Sequence, residues 1–127
     1  MSKRLKVVLI DPIARTVTDV EVAPTLAAWY RLLDCEMVET VNLAGPAVYH
    51  EWWDSIEGGR GLYLYADEEG RCKENSYFSI APYEAEFAGK AFICEVDMDR
   101  GEERSTELTA EKVRPQVRWT GRWAARA

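Results

Sequence analysis

The chain has 127 residues, 47% of them hydrophobic and 30% charged, with 16 Lys and Arg against 22 Asp and Glu for a net charge of −6. That is the length of one ordinary domain and the composition of a globular chain, which excludes a disordered one and any need for a metal or disulfide to complete the core. The acidic balance excludes a generally basic nucleic-acid coat but leaves room for a local basic site.

Residues 5–10 alternate and are rich in β-branched side chains, and Asp11-Pro12 marks a turn. Residues 16–22 place Thr18, Val20 and Val22 on one face and Val17, Asp19 and Glu21 on the other. A period of two belongs to a half-buried strand, so residues 5–22 predict a hairpin. Pro24-Thr25 opens a helix in which Leu26, Trp29, Tyr30 and Leu33 fall at i, i+3, i+4 and i+7 and which ends near Asp34-Cys35. Residues 36–43 alternate again, with Met37, Val41 and Leu43 on one face, until Gly45-Pro46 breaks the pattern. Tyr49, Trp52, Trp53 and Ile56 repeat the helical spacing over residues 47–57, closed by Gly58, Gly59 and Gly61.

Residues 62–66 read as a strand, Asp67-Glu68-Glu69-Gly70 as a hairpin loop with Gly70 in a left-handed position, and a return strand starts from Arg71. Residues 77–80 form an apolar patch whose state the pattern leaves open. Gly89-Lys90 leads into a strong strand over Ala91–Val96, and Asp97–Glu103 is a polar turn around Gly101. Thr109 caps a short helix carrying Glu111 in its first turn, and Pro115 ends or kinks it. With no repeat and no linker, residues 1–127 predict a single small α+β domain, mostly antiparallel sheet with two or three short helices.

The apolar run after Lys6 stops at Ile10, too short for a signal peptide, and no stretch approaches the ~20 apolar residues of a membrane span. Cys35, Cys72 and Cys94 are odd in number and widely spaced, with no Cys-x-x-Cys and a single His. They form neither a disulfide framework nor a zinc pattern, so a cytoplasmic protein is expected with each thiol serving as a small buried or half-buried apolar group.

His50, Glu51 and Asp54 are the one cluster of metal-ligand types, but one His and one carboxylate on a shared face fall short of the three protein ligands a catalytic zinc takes. Cys94 lies inside a strand rather than at a helix N-terminus, and Gly58-Gly59-Arg60-Gly61 lacks the Lys-Ser/Thr of a phosphate loop. The acids Asp67, Glu68, Glu69, Asp97 and Asp99 are read as solvated turn residues. No catalytic residue, metal or cofactor is expected.

The terminus is more informative. Residues 1–99 carry nine basic and 18 acidic residues, and residues 100–127 carry seven and four. Arg114, Arg118, Arg122 and Arg126 recur at every fourth position with Trp119 and Trp123 beside them. On a continuous helix this is an arginine stripe beside a tryptophan pair, suited to a phosphate-bearing partner such as a nucleotide, gripped across a homodimer interface. Pro115 and Gly121 disfavour such a helix, and Val117-Arg118-Trp119 reads equally as an edge strand with the arginines neutralising the acidic body. Trp29, Trp52 and Trp53 exceed what a small core readily hides, which points to a surface that meets a partner or a second copy of the chain.

The order of short motifs resembles a small family of domains of unknown function from phages, plasmids and bacterial genomes. The matching pieces are Val8-Leu9-Ile10-Asp11-Pro12, Val17 to Val22, Leu33-Asp34-Cys35, Leu64 to Gly70 with Asn75, Ala88-Gly89-Lys90-Ala91-Phe92 and the Asp97–Gly101 turn. Ala47–Arg60 looks like an insertion, and the Arg/Trp tail lies outside the pattern. The resemblance implies a small α+β domain carried by a mobile element. The expectation is a non-enzymatic binding protein, an inhibitor of host defence acting on a host protein, with Trp52 and Trp53 among its anchors. The alternatives are a nucleotide-sequestering protein using Arg114, Arg118, Trp119, Arg122 and Trp123, and an enzyme working through His50 or carboxylates alone.

Overall fold

The computed structural model describes residues 4–43, 60–72, 75–81, 86–97, 100–106 and 108–123. The predicted helix at 47–57, with His50, Trp52, Trp53 and Asp54, lies outside them, as do Asp99 and Arg126. The elements run β1 (Leu5–Asp11), β2 (Thr16–Val22), α1 (Leu26–Leu33), β3 (Val38–Asn42), β4 (Arg60–Asp67), β5 (Asn75–Ile80), β6 (Phe87–Ala88), β7 (Ala91–Asp97), β8 (Glu102–Arg104), α2 (Ala110–Val113) and β9 (Val117–Trp123). The result is the small, mostly antiparallel α+β domain that the sequence predicts, with two antiparallel sheets and two short α-helices among the described residues.

The larger sheet has the order β2-β1-β7-β4-β3, with β8 pairing β7 where β1 leaves off. The predicted hairpin is in register from Leu5 opposite Val22 to Asp11 opposite Thr16. Alternation then sends side chains to two different cores. Val8, Ile10, Val17, Leu62, Leu64 and Ile93 join one, and Val7, Val22, Tyr65, Phe92 and Cys94 the other. Both faces of the sheet are covered.

Helix α1 covers the second face. Thr25 Oγ1 accepts the Ala28 N–H at 3.2 Å, and Asp34 closes the helix in the left-handed region at φ 53°. Trp29 is buried edge-on to Tyr65, with ring centroids 5.1 Å apart, while Tyr65 stacks on Phe92 at 4.8 Å. The core therefore hides Trp29, against its assignment to surplus aromatic surface. A tryptophan one turn before Leu33 on the buried stripe has a whole sheet face to pack on.

The opposite face is covered by the small sheet β6-β5-β9 and by α2. Here two expectations fail. No return strand pairs with β4 from Arg71. The chain makes a 3₁₀ turn at Gly70–Cys72 and crosses to the second sheet, where the apolar patch at 77–80 becomes β5, while β4 pairs with β3 and β7. Gly70 is not left-handed either. It is buried, and a Cβ there would sit 2.7 Å from the Ala88 carbonyl oxygen, so close approach between the 3₁₀ turn and β6 is what requires glycine. Met37 also departs from the predicted strand face: it precedes β3 and is 49% exposed.

Helix α2 docks through polar ties to the first hairpin. Asp19 Oδ1 accepts the Ala110 N–H at 2.9 Å, Lys6 bridges Asp19 at 3.3 Å and also donates to the Leu108 carbonyl, and Thr109 caps the helix as predicted. Pro115 turns the chain into a 3₁₀ segment at Arg114–Gln116 and so into β9. No helix among the described residues is long and apolar enough to cross a membrane.

Candidate functional site

The C-terminal residues are the natural starting point. They form β9 rather than a continuous helix, pairing with β5 from Val117 opposite Ile80 to Trp123 opposite Asn75. The four-residue recurrence of arginines therefore builds no stripe, because a strand alternates every second residue. Arg114 lies before the strand and donates through Nη2 to the Val17 carbonyl at 2.8 Å, where it clamps the 3₁₀ segment onto β2. Arg118 is exposed opposite Ser79. Trp119 is half-buried and packs on the core beside Val117. A bulge between Tyr77 and Phe78 shifts the register, so that the backbone of Arg122 lies opposite Ser76. The edge-strand reading of this segment holds, and Arg114, Arg118 and Trp119 do not converge.

Three clefts gather at the end of the molecule formed by the β1–β2 turn, the C-terminus of α1 and the starts of β5 and β7. The first, of about 330 Å³, lies between the β1–β2 turn and the β5–β9 ladder and is lined by Ile13, Arg15, Asn75, Ser76, Tyr77 and Trp119, among others. The second, of about 140 Å³, shares Ile13 and Asn75 with it and adds Asp34, Asp67, Gly89 and Lys90. The third, of about 640 Å³, shares Asp34 and continues over Tyr30, Arg31, Cys35, Glu36 and Glu69.

The second cleft joins residues from three of the short motifs quoted above, Leu33-Asp34-Cys35, Leu64 to Gly70 with Asn75, and Ala88 to Phe92, and its polar groups already serve one another. Lys90 Nζ meets Asp34 Oδ2 at 3.0 Å, and Asn75 Nδ2 donates to the Gly70 carbonyl at 3.1 Å. Asp67 Oδ1 accepts the Glu69 N–H at 2.9 Å, and Gly89, at φ 81°, leaves room for the Asn75 carboxamide. This is a clasp between loops. It also corrects the reading of Asp67 as a solvated turn acid, since Asp67 is buried.

The third cleft has an apolar border and an acidic rim. Leu26 and Tyr30 are one turn apart on α1, Leu26 being 52% exposed, and exposed Met37 follows Glu36. The Met37 carbonyl accepts the Glu68 N–H at 3.0 Å, which brings the Glu68-Glu69 turn against this segment. Asp34, Glu36, Glu68 and Glu69 are all exposed.

The thiols split. Cys35 and Cys94 are buried, but Cys72 is exposed on the 3₁₀ turn, against the expectation of a covered thiol. Burial, then the nearby Glu103 carboxylate, pushes the Cys94 thiol up to about 12. Tyr65 is raised by burial, by Cys94 and by Glu103, whose Oε2 accepts its hydroxyl at 2.8 Å. Both groups are held protonated at neutral pH, which makes Cys94 a poor nucleophile. Among the described residues, no group of three His, Cys, Asp or Glu side chains gathers as a metal site.

In comparisons with protein-family models, curated proteins and solved structures, nothing matches this chain. The functional reading therefore rests on the geometry of these clefts. Of the residues lining them, sequence reasoning singled out Trp119 for its side chain. Arg15, Ser76 and Tyr77 carry no local motif, and only the meeting of the first turn with β5 and β9 assembles them.

Proposed function

We propose that this chain is a non-enzymatic binding protein of a mobile genetic element, of the kind its family resemblance implies, and that it blocks a host protein, an inhibitor of host defence being the leading class. The observation that carries the reading is the surface at the end of α1. There half-buried Tyr30 lies among Asp34, Glu36 and Glu69, with exposed Met37 next to Glu36 in the chain and exposed Leu26 one helical turn before Tyr30. Exposed apolar side chains beside charged ones are the materials of a protein interface. Asp34, Glu36, Glu68 and Glu69 give that surface the sign of the whole molecule, so the fitting occupant is a basic protein surface, drawn in by the acidic field and held by the apolar contacts. Arg31 within the rim offers one point of registry with a partner carboxylate.

The test is affinity capture from host extract with the tagged full chain, beside the double variant Leu26→Glu/Met37→Glu and the control Arg118→Ser. A stoichiometric basic protein held by the parent and the control, released by raised salt and lost from the double variant, supports the reading. Either no stoichiometric partner, or one that the double variant holds equally well, rejects it. Both substitutions are at exposed positions, so stability should stay within about 0.5 kcal/mol.

A further inference from the structure

The first cleft differs in chemistry from its neighbours. The second and third hold two and three carboxylates, whereas the lining of the first contains Arg15 and no acidic residue, on a chain with 22 of them. Its volume of about 330 Å³ lies at the small end of the range for small-molecule sites.

Each wall has a feature that the fold alone does not require. Arg15 holds its backbone in the left-handed region, at φ 57°, in the four-residue turn between β1 and β2. Among the described residues no carboxylate pairs with it. Asp11, at the start of the same turn, directs Oδ1 to the N–H groups of Ile13 at 2.9 Å and Ala14 at 3.1 Å. On the far wall, Trp119 packs partly on the core and partly lines the cleft. Beside it Gly121 adopts φ 117°, and a Cβ there would meet nothing within 4 Å. The glycine serves the backbone path of the bulge, and bulges of this kind re-aim side chains next to binding sites. Between the walls, the Asn75 carboxamide has one N–H fixed on the Gly70 carbonyl, which leaves its oxygen and second N–H for a ligand, and the half-buried Ser76 adds a hydroxyl.

We propose that this cleft binds a free mononucleotide. Trp119 is the stacking surface for the base, the Arg15 guanidinium is the phosphate contact, and Asn75 with Ser76 supplies hydrogen bonds to polar edges. An anion placed there meets one guanidinium and no lining carboxylate, while the surrounding acidic surface repels it. The site uses Trp119 from the C-terminal segment but takes its cation from the first turn, and it is independent of the partner surface at α1.

The experiment is calorimetric titration of the full chain with AMP and UMP, with adenosine, inorganic phosphate and a short single-stranded DNA as comparison ligands. A saturable mononucleotide signal at least about tenfold tighter than adenosine or phosphate alone is expected, because base and phosphate are held together. Arg15→Gln should bring AMP down to the level of adenosine without changing adenosine. Trp119→Ala should lose both, and Trp119→Phe should keep partial affinity and show that the fold survives. Three outcomes overturn the proposal: no mononucleotide binding at millimolar concentration, AMP binding that Arg15→Gln leaves unchanged, or binding of the single-stranded DNA where the mononucleotides fail. Capture of the protein partner reads Leu26 and Met37, so the two ideas fail separately.

Discussion

The two faces of the large sheet are covered in different ways. The α1 face is sealed by eight consecutive residues, and its core is aromatic with polar groups inside it: Trp29, Tyr65 and Phe92 in contact, the Tyr65 hydroxyl on Glu103, and Cys94 alongside. The other face is sealed by three strands and a short helix drawn from residues 75–80, 87–88, 110–113 and 117–123, and its core is largely aliphatic around Phe78 and Phe87. One covering is local and the other is assembled from distant pieces. The local one can be read from spacing. The distant one creates the cleft at Arg15 and Trp119, because pieces brought together from opposite ends of the chain leave a gap where they meet.

The comparison can be broken most forcefully by emptying each core in turn. Phe78→Ala and Trp29→Ala should each cost about 3–5 kcal/mol in denaturant unfolding. If the shared strands β1, β4 and β7 make one cooperative unit, fluorescence and circular dichroism will follow one transition in both variants. Separate transitions for Phe78→Ala would mean that the second sheet comes off alone.

A smaller effect probes the join between the sheets. Gly70→Ala puts a Cβ against the Ala88 carbonyl, and backbone must move to accept it. The cost should be about 1–3 kcal/mol in thermal or chemical unfolding. Gly101→Ala, where φ is 68° but the space is open, separates backbone strain from crowding.

The α1 face should respond to alkaline pH. The folded Cys94 thiol is pushed above its ordinary value of 9.0 to about 12, so the unfolded chain loses its proton first. The stability is fully present below pH 9 and is lost as the pH climbs towards the folded value. The slope is about 1.4 kcal/mol per pH unit at most. The raised Tyr65 adds to the loss at still higher pH. Melting temperature measured from pH 8 to pH 11 should fall, and Cys94→Val should flatten the fall up to the onset of the tyrosine titration.

The smallest effects compare the two helices. Thr25→Ala removes the N-cap of α1, and Asp19→Ala removes the acceptor that holds the first N–H of α2. Each should cost about 1 kcal/mol by denaturant midpoint. In the partner test Thr25→Ala should act only through stability, whereas Asp19→Ala should loosen the C-terminal segment and weaken mononucleotide binding as well.

Much of this architecture is legible residue by residue. The alternation in Thr16–Val22, the stripe Leu26-Trp29-Tyr30-Leu33, the caps Thr25 and Thr109, and Gly101 in its turn each express a preference spanning a few neighbours. Those preferences survived folding because the tertiary structure has no competing use for the residues. Gly70 shows the limit: a glycine after Asp-Glu-Glu has the sequence of a left-handed loop position, and only the approach of Ala88 reveals why it is glycine. Arg114, one step of the predicted ligand-binding stripe, is a clamp on Val17. No local signal marks Arg15, the cation of the cleft.

By itself the sequence determined the strand and helix periods, their caps and the α+β class, because these depend on spacing within one element. The tertiary structure alone decided which strands pair, where β4 sends the chain, which tryptophan is hidden and which arginine faces a cleft. Those outcomes depend on contacts between residues far apart in the chain, and local spacing carries no record of such contacts.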